Sequence, residues 1–284
     1  MVRIFFFFLL LFSFSYGDKL QSTVDGDLLI KKIKSLINPA TFAKDRAYID
    51  TIFSPKEDYF TSDGKINSIK VIKTLKENGI LNLFFKKPRD INITFKTQGE
   101  PQFFVKIMSD SLQNVGYYRY VTSESTLSES EFVWKISLTS EYAADPLVLS
   151  QELKKSNCEI IDIIRENETD WAYIVDMKNA RLDVSVLENA QEHRLKRSLY
   201  AYWVDVSKID KLQISSSARN DWYPYIAYYD KFLRLIRVEK TDEKTTNISL
   251  HSGQGTHYMK ISDIYTLKNI KDDLVLMPTS KKSE

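Results

Sequence analysis

Three histidines (His193, His251, His257) and one cysteine (Cys158) are the whole stock of imidazole and thiol in 284 residues, so metal or thiolate chemistry has few side chains to draw on. His251 and His257 flank Gly253, Gln254 and Gly255. That spacing predicts a hairpin in which the two imidazoles could face one another. Two ligands do not complete a zinc site, which takes three or four, and His193 is distant in the chain. Surface histidines and no bound metal are the expectation. Cys158 precedes Ile160, Ile161, Ile163 and Ile164, which predicts a buried and inert thiol. A lone cysteine also leaves no internal disulfide to staple the fold.

Ser62 and Lys65 have Ser-x-x-Lys spacing, but Asp63 and Gly64 between them read as a turn, whereas that nucleophile normally opens a helix. No Gly-x-Ser-x-Gly elbow, His-Glu-x-x-His run, EF-hand loop or glycine-rich phosphate loop occurs. Carboxylates are plentiful, but the sequence places no two of them the ~5–10 Å apart that glycoside hydrolysis needs. No catalytic residue and no cofactor are predicted.

Two stretches carry other chemistry. Residues 220–231, "NDWYPYIAYYDK", hold five aromatic residues in twelve. On a strand, successive side chains alternate between faces. Trp222, Pro224, Ile226 and Tyr228 then share one face and suit a core, while Tyr223, Tyr225, Ala227 and Tyr229 share the other. Pro224 cannot donate to a ladder, which predicts an edge strand or an irregular start. The tyrosine-rich face suits packing within the protein, a protein partner or a sugar ring; all three stay open. Trp222, Tyr223, Tyr225 and Tyr229 are the candidate ligand-binding residues. The second stretch, Asp90, Ile91, Asn92, Ile93 and Thr94, resembles the acidic-x-Asn-x-Ser/Thr acceptor that some Gram-negative bacteria glycosylate in the periplasm. The motif is short, arises often by chance, and puts Asn92 within an expected strand. Asn167 and Asn247 lack the acidic residue two positions earlier.

The elements that must position these residues follow from the hydrophobic pattern. Arg3, an apolar run over residues 4–12, and the small residues Ser15 and Gly17 predict a signal peptide over residues 1–17. The run is about half the ~20 residues a membrane span needs. The composition is 43% hydrophobic and 13% aromatic, enough to bury cores. The near balance of 40 Lys and Arg against 38 Asp and Glu argues against broad attraction to nucleic acid or anionic lipid.

Residues 18–88 read as a helical module, with starts at Asn38 before Pro39 and Ser54 before Pro55, a stripe of Ile66, Ile69 and Ile72, and a stop at Asn78 and Gly79. Residues 89–178 read as strand, helix, strand, strand, helix, strand and one extra strand, the ferredoxin-like split βαβ plan. Their markers are alternation at Ile91, Ile93 and Phe95, at Tyr118, Tyr120 and Thr122, and at Phe132, Trp134, Ile136 and Leu138. The helical spacings are Phe104, Ile107, Met108 and Leu112, then Leu149 and Leu153 behind the Asp145 and Pro146 cap. Residues 179–284 read as an antiparallel β-sandwich or jelly roll, from strand-like runs at 181–187, 195–203, 212–216, 222–228, 233–238, 247–250, 258–262 and 274–277. The fold class is α+β.

The phrases "VIKTLKENGILNLFFKKPRDINITF", "FFVKIMSDSLQNVGYYRY" and "NDWYPYIAYYDK" resemble an uncharacterised family of periplasmic proteins from the epsilon class of proteobacteria. The resemblance implies a compartment, the periplasm, and no activity. The expectation is an exported interaction or scaffold protein of the cell envelope, with an envelope protein or glycan as partner, no nucleic acid, and no membrane span after signal cleavage. The alternatives are a carbohydrate- or peptidoglycan-binding protein using the tyrosine face, and an envelope hydrolase.

Overall fold

The computed structural model describes residues 26–280, so the expected signal peptide lies outside the described residues. The chain divides into two compact units between Ala180 and Arg181. The first packs helices on a sheet, the described part of the second is built of strands with one 3-10 turn, and no described helix is long and apolar enough to cross a membrane.

The first unit opens with α1 (residues 26–36), which buries Leu29, Ile33 and Leu36, one face of a helix at 3.6-residue spacing. Next come α2 (Pro39–Lys44), α3 (Arg46–Ile52) and α4 (Ser68–Glu77). Asn38 caps α2 by accepting from the Ala40 N–H at 2.8 Å, as its place before a proline predicts. Ser54 starts no α-helix: a 3-10 turn, Lys56–Tyr59, follows it without a side-chain cap. The buried stripe of α4 is Ser68, Val71, Ile72 and Leu75, not the Ile66, Ile69, Ile72 series. Ile66 precedes the helix and bridges to Phe60. Gly79, at φ 70°, supplies the expected left-handed stop.

The sheet of this unit contains β1 (Phe84–Thr97), β2 (Val121–Leu127), β3 (Phe132–Tyr142), β4 (Glu159–Arg165) and β5 (Asp170–Asp176), in the order β2-β3-β1-β5-β4. Helices α5 (Pro101–Asn114) and α6 (Pro146–Lys155) lie between β1 and β2 and between β3 and β4 in the chain. The split unit β1–α5–β2, with β3 between its strands, is present; β5 enters between β1 and β4 and pairs with β1 in parallel. That parallel pair departs from the all-antiparallel plan. β1 also starts at Phe84, earlier than expected, and its register shifts between Phe84 and Arg89, the stretch that holds Pro88. Ile91, Ile93, Phe95, Phe132, Trp134 and Ile136 turn one face of the sheet into a core that Phe104, Ile107, Met108, Leu112, Leu149 and Leu153 help fill. The buried side chains of α5 alone represent on the order of 10 kcal/mol of gross apolar transfer before ordering entropy is counted.

The second unit has two sheets. One is ordered β11-β10-β13-β8-β6 and the other β12-β9-β14-β7. The strands are β6 (Ser185–Val186), β7 (His193–Leu195), β8 (Tyr202–Asp205), β9 (Lys211–Ser216), β10 (Pro224–Tyr229), β11 (Leu235–Lys240), β12 (Asn247–His251), β13 (Tyr258–Asp263) and β14 (Leu274–Thr279). Both sheets feed one core that includes Val204, Ile226 and Ile261 from the first and Leu212, Ile214 and Leu276 from the second. The run 195–203 is not one strand: β7 and β8 belong to different sheets. Gly253, Gln254 and Gly255 close no hairpin either, since β12 and β13 lie in different sheets.

Candidate functional site

The two edges of the first sheet are treated differently. At β4, Ile163 has both backbone groups filled from outside the ladder: its N–H donates to Asp162 Oδ1 (2.8 Å) and its carbonyl accepts from Lys32 Nζ (2.6 Å) on α1. Arg165 Nη1 ties the same strand to the Leu36 carbonyl at 2.6 Å. A flat edge is a template for another chain, and covering it with a helix is one way proteins block that.

At β2 nothing comparable occurs. All seven residues, "VTSESTL", are exposed, and among the described residues no side chain or loop bonds to the outward backbone groups. The hairpin into β3 is closed by the Ser128 N–H donating to the Glu131 carbonyl at 2.9 Å. Antiparallel residues alternate between inward and outward bonding, so Leu127 and Ser125 point their N–H and C=O groups away from β3. The strand carries no Lys and no Pro, the usual edge protections, but it does bulge between Thr122 and Glu124.

Beside the start of β2 lies a cleft of about 900 Å³ between α5, the connection 117–120, and the ends of β1 and β3. β3 runs on past Ser137, the partner of Val121, so its last residues lack a neighbour on this side. Tyr120 is fixed by its hydroxyl, which donates to Ser109 Oγ at 3.1 Å, and by an edge-on contact with Trp134 at 5.7 Å. Trp134 in turn donates its indole N–H to Thr122 Oγ1 at 3.1 Å. Burial pushes the Tyr117 hydroxyl up to about 12, against a hydrogen bond with Ser140, so it stays protonated. The acids in the wall are engaged: Asp90 accepts from Thr139 (2.7 Å), and Asp110 takes both its oxygens to Lys106 (2.7 and 2.6 Å). Arg119 is exposed and has no ion-pair partner among the described residues. The cleft therefore offers tyrosine rings and a guanidinium rather than a nucleophile beside a base.

The residues singled out from sequence are dispersed. The predicted alternation along 222–229 holds except at Ala227: Trp222, Pro224, Ile226 and Tyr228 are buried, Tyr223, Tyr225 and Tyr229 are half-buried, and Ala227, expected on the outer face, is buried too. Trp222 is thereby removed from the ligand-binding set. It sits in the core with its indole N–H donated to the Ser262 carbonyl at 2.9 Å. The remaining tyrosines make local contacts: Tyr229 packs on Trp203 (5.0 Å) and Tyr223 edge-on against Tyr265 (5.1 Å). β10 is not an edge strand, since β11 and β13 flank it, and Pro224 is tolerated as its first residue.

Asn92 lies in the interior of β1. Its Oδ1 accepts from Ser137 (2.6 Å) and its Nδ2 donates to Asp170 (2.7 Å), so the amide bridges both neighbouring strands. His257 approaches Asp205 at 3.4 Å, His251 ends β12, and His193 is half-buried on β7. Cys158 is fully buried, and burial pushes its thiol up to about 12. Lys65 pairs with Asp63 at 2.7 Å in an exposed turn. The sequence reading missed the β2 edge because its residues show no apolar alternation. The signal it did contain was seven residues free of Lys and Pro beside a tight Ser-Glu turn.

No family model matches the sequence, and no curated protein matches it. The crystal structure of accessory secretory proteins 1, 2 and 3 of Streptococcus pneumoniae is similar at 12% identity over 27% of this chain, with a TM-score of 0.18. The match spans about half of that chain (55%) and carries no argument about fold or activity.

Proposed function

We propose that this is an exported interaction protein of the cell envelope, not a catalyst, and that it binds a protein partner by strand addition to β2. One observation carries the reading: an exposed edge strand left open in a sheet whose opposite edge strand has the backbone groups of Ile163 filled by Lys32 and Asp162. Strand addition draws affinity from backbone hydrogen bonds and specificity from neighbouring pockets, and the cleft beside Val121 is such a pocket. Pairing between two copies is opposed by the bulge after Thr122 and by Glu124, the only charge on the strand, which would approach its own counterpart in an antiparallel β2 pair. Within this reading the first unit is a ferredoxin-like layer enlarged by β5, supported by the β1–α5–β2 split unit, and the second is a β-sandwich, supported by its shared core.

The test uses a photoactivatable residue in place of Leu127 in intact cells. Discrete adducts are expected, and they should vanish when Ser125→Pro removes an outward donor without touching the ladder to β3. Adducts that persist unchanged in Ser125→Pro, or none at all, would overturn the reading.

A further inference from the structure

The second unit gathers its loops at one end in a particular order. Strand register places the β7–β8 loop (196–201), the β9–β10 loop (217–223), the β11–β12 loop (241–246) and the β13–β14 loop (264–273) together there: Leu195 pairs with Leu274, Ser216 with Leu274, Tyr202 with Ile261, Pro224 with Asp263 and Tyr225 with Lys240. Three large side chains point from these loops into water: Leu199 at 69%, Tyr200 at 66% and Tyr265 at 65% exposure. Exposed Lys196, Arg197 and Lys268 accompany them, and none has an ion-pair partner among the described residues.

Several acids at this end are paired. Asp221 is neutralised by Lys244 (2.9 Å) and Lys271 (2.7 Å), and Asp272 faces Arg219 at 3.6 Å. Asp273, the remaining carboxylate of the 264–273 loop, precedes Leu274, the partner of Leu195, and so lies beside the 196–201 loop near Tyr202. The other unpaired acids, Asp242 and Glu243, sit on the loop joining the edge strands β11 and β12. The 196–201 loop joins β7, at the opposite edge of its sheet, to β8, one strand from the opposite edge of the other. The part of this end that carries Leu199 and Tyr200 thus sets the free cations Lys196 and Arg197 against Asp273 alone.

Two of the four loops are held by buried polar side chains. Asp263, nearly buried, accepts from the Tyr265 and Thr266 N–H groups (both 2.8 Å), from Asn269 Nδ2 (3.1 Å) and from the Tyr223 N–H (2.9 Å). Buried Asn220 accepts from the Lys271 and Asp272 N–H groups (both 2.7 Å) and donates to Ser216 Oγ at 3.0 Å.

We propose that this loop end is a contact surface for an anionic lipid bilayer. Leu199, Tyr200 and Tyr265 enter the boundary between headgroups and acyl chains, while Lys196, Arg197 and Lys268 meet the headgroup phosphates. Leucine and tyrosine suit that depth, since tyrosine keeps its hydroxyl in the polar layer while its ring is buried. Lysine and arginine beside them supply the attraction to anionic lipid. The contact is peripheral and independent of β2.

An environment-sensitive fluorophore on Leu199→Cys in the full-length chain tests this. Cys158 is buried with its thiol pushed up to about 12, so labelling goes to the introduced position. Vesicles of phosphatidylglycerol should shift the emission to the blue; vesicles of phosphatidylcholine should not. A double charge reversal, Lys196→Glu with Arg197→Glu, should weaken the response about tenfold or more. A probe that stays water-exposed on both vesicle types, or responds equally to both, overturns the proposal. So does a response that the double reversal leaves unchanged while folding is intact by circular dichroism. Because the signal comes from residue 199, vesicle binding through the apolar N-terminal run would not mimic it.

Discussion

Lys32 donates its ammonium to the backbone carbonyl of Ile163 at 2.6 Å, and the same ammonium pairs with the neighbouring Asp162 carboxylate. One side chain from α1 thus fills an outward acceptor of β4 and neutralises the carboxylate that fills the adjacent donor. Lys32→Ala should cost about 1–2 kcal/mol, read as a lower urea midpoint at unchanged slope, because a charged hydrogen bond to a part-buried acceptor is lost. An unchanged midpoint would mean that water replaces the ammonium without penalty.

The same cluster sets a pH dependence. Burial pushes the Asp162 carboxyl up, but hydrogen bonds from Lys32 and from Ser68 (2.6 Å) outweigh it and hold the group below the usual carboxylate range. A folded value below the unfolded one, about 3.9, means the contribution is fully present above that pH and disappears as pH falls through the folded value. Asp162→Asn should flatten the loss of stability below about pH 4, measured by urea unfolding across the acid range. Parallel acid profiles for wild type and variant would contradict this.

Trp222 and Tyr225 test the division of faces along β10. Trp222→Ala removes a fully buried indole and strands the Ser262 carbonyl; a loss of about 3–5 kcal/mol is expected. Tyr225→Ala, on the half-buried face, should cost about 1 kcal/mol. Thermal unfolding of the two variants should separate them clearly, and equal losses would place both rings in one core.

Cys158 should resist iodoacetamide at pH 8 in the folded protein and react fully in denaturant, since burial both hides the sulfur and raises its pKa. Mass spectrometry of the alkylated chain distinguishes the two states. Rapid labelling without denaturant would show that the segment around β4 opens readily.

What the sequence disclosed followed how one-sided the burial is. Ile91, Ile93 and Phe95, the α5 series from Phe104 to Leu112, and the Asp145 cap were legible because each element presents one apolar face to one core, and the residue period records that geometry. β2 offered no such record: with every side chain in water, its pairing rests on backbone bonds to β3, which any residue types can make. The strand expected from Tyr118, Tyr120 and Thr122 begins only at Val121 for this reason. The run 195–203 failed differently. Leu195 and Tyr202 both turn inward, so the pattern looks continuous although the chain crosses from one sheet to the other between them. Of the candidate sites, the tyrosine face could be drawn from alternation alone. The β2 edge and the loop end depend on which strands become neighbours, which local spacing does not encode.

Asp263 and Asn220 organise two of the four connections at the loop end without bonding to the side chains of Leu199, Tyr200 or Tyr265. Their bonds hold the backbone of the 217–223 and 264–273 connections, while Leu199 and Tyr200 sit on the separate 196–201 loop and Tyr265 packs edge-on against Tyr223. Drift at Leu199 and Tyr200, which take no part in those bonds, can therefore alter the chemistry of this end while Asp263 and Asn220 stay under constraint.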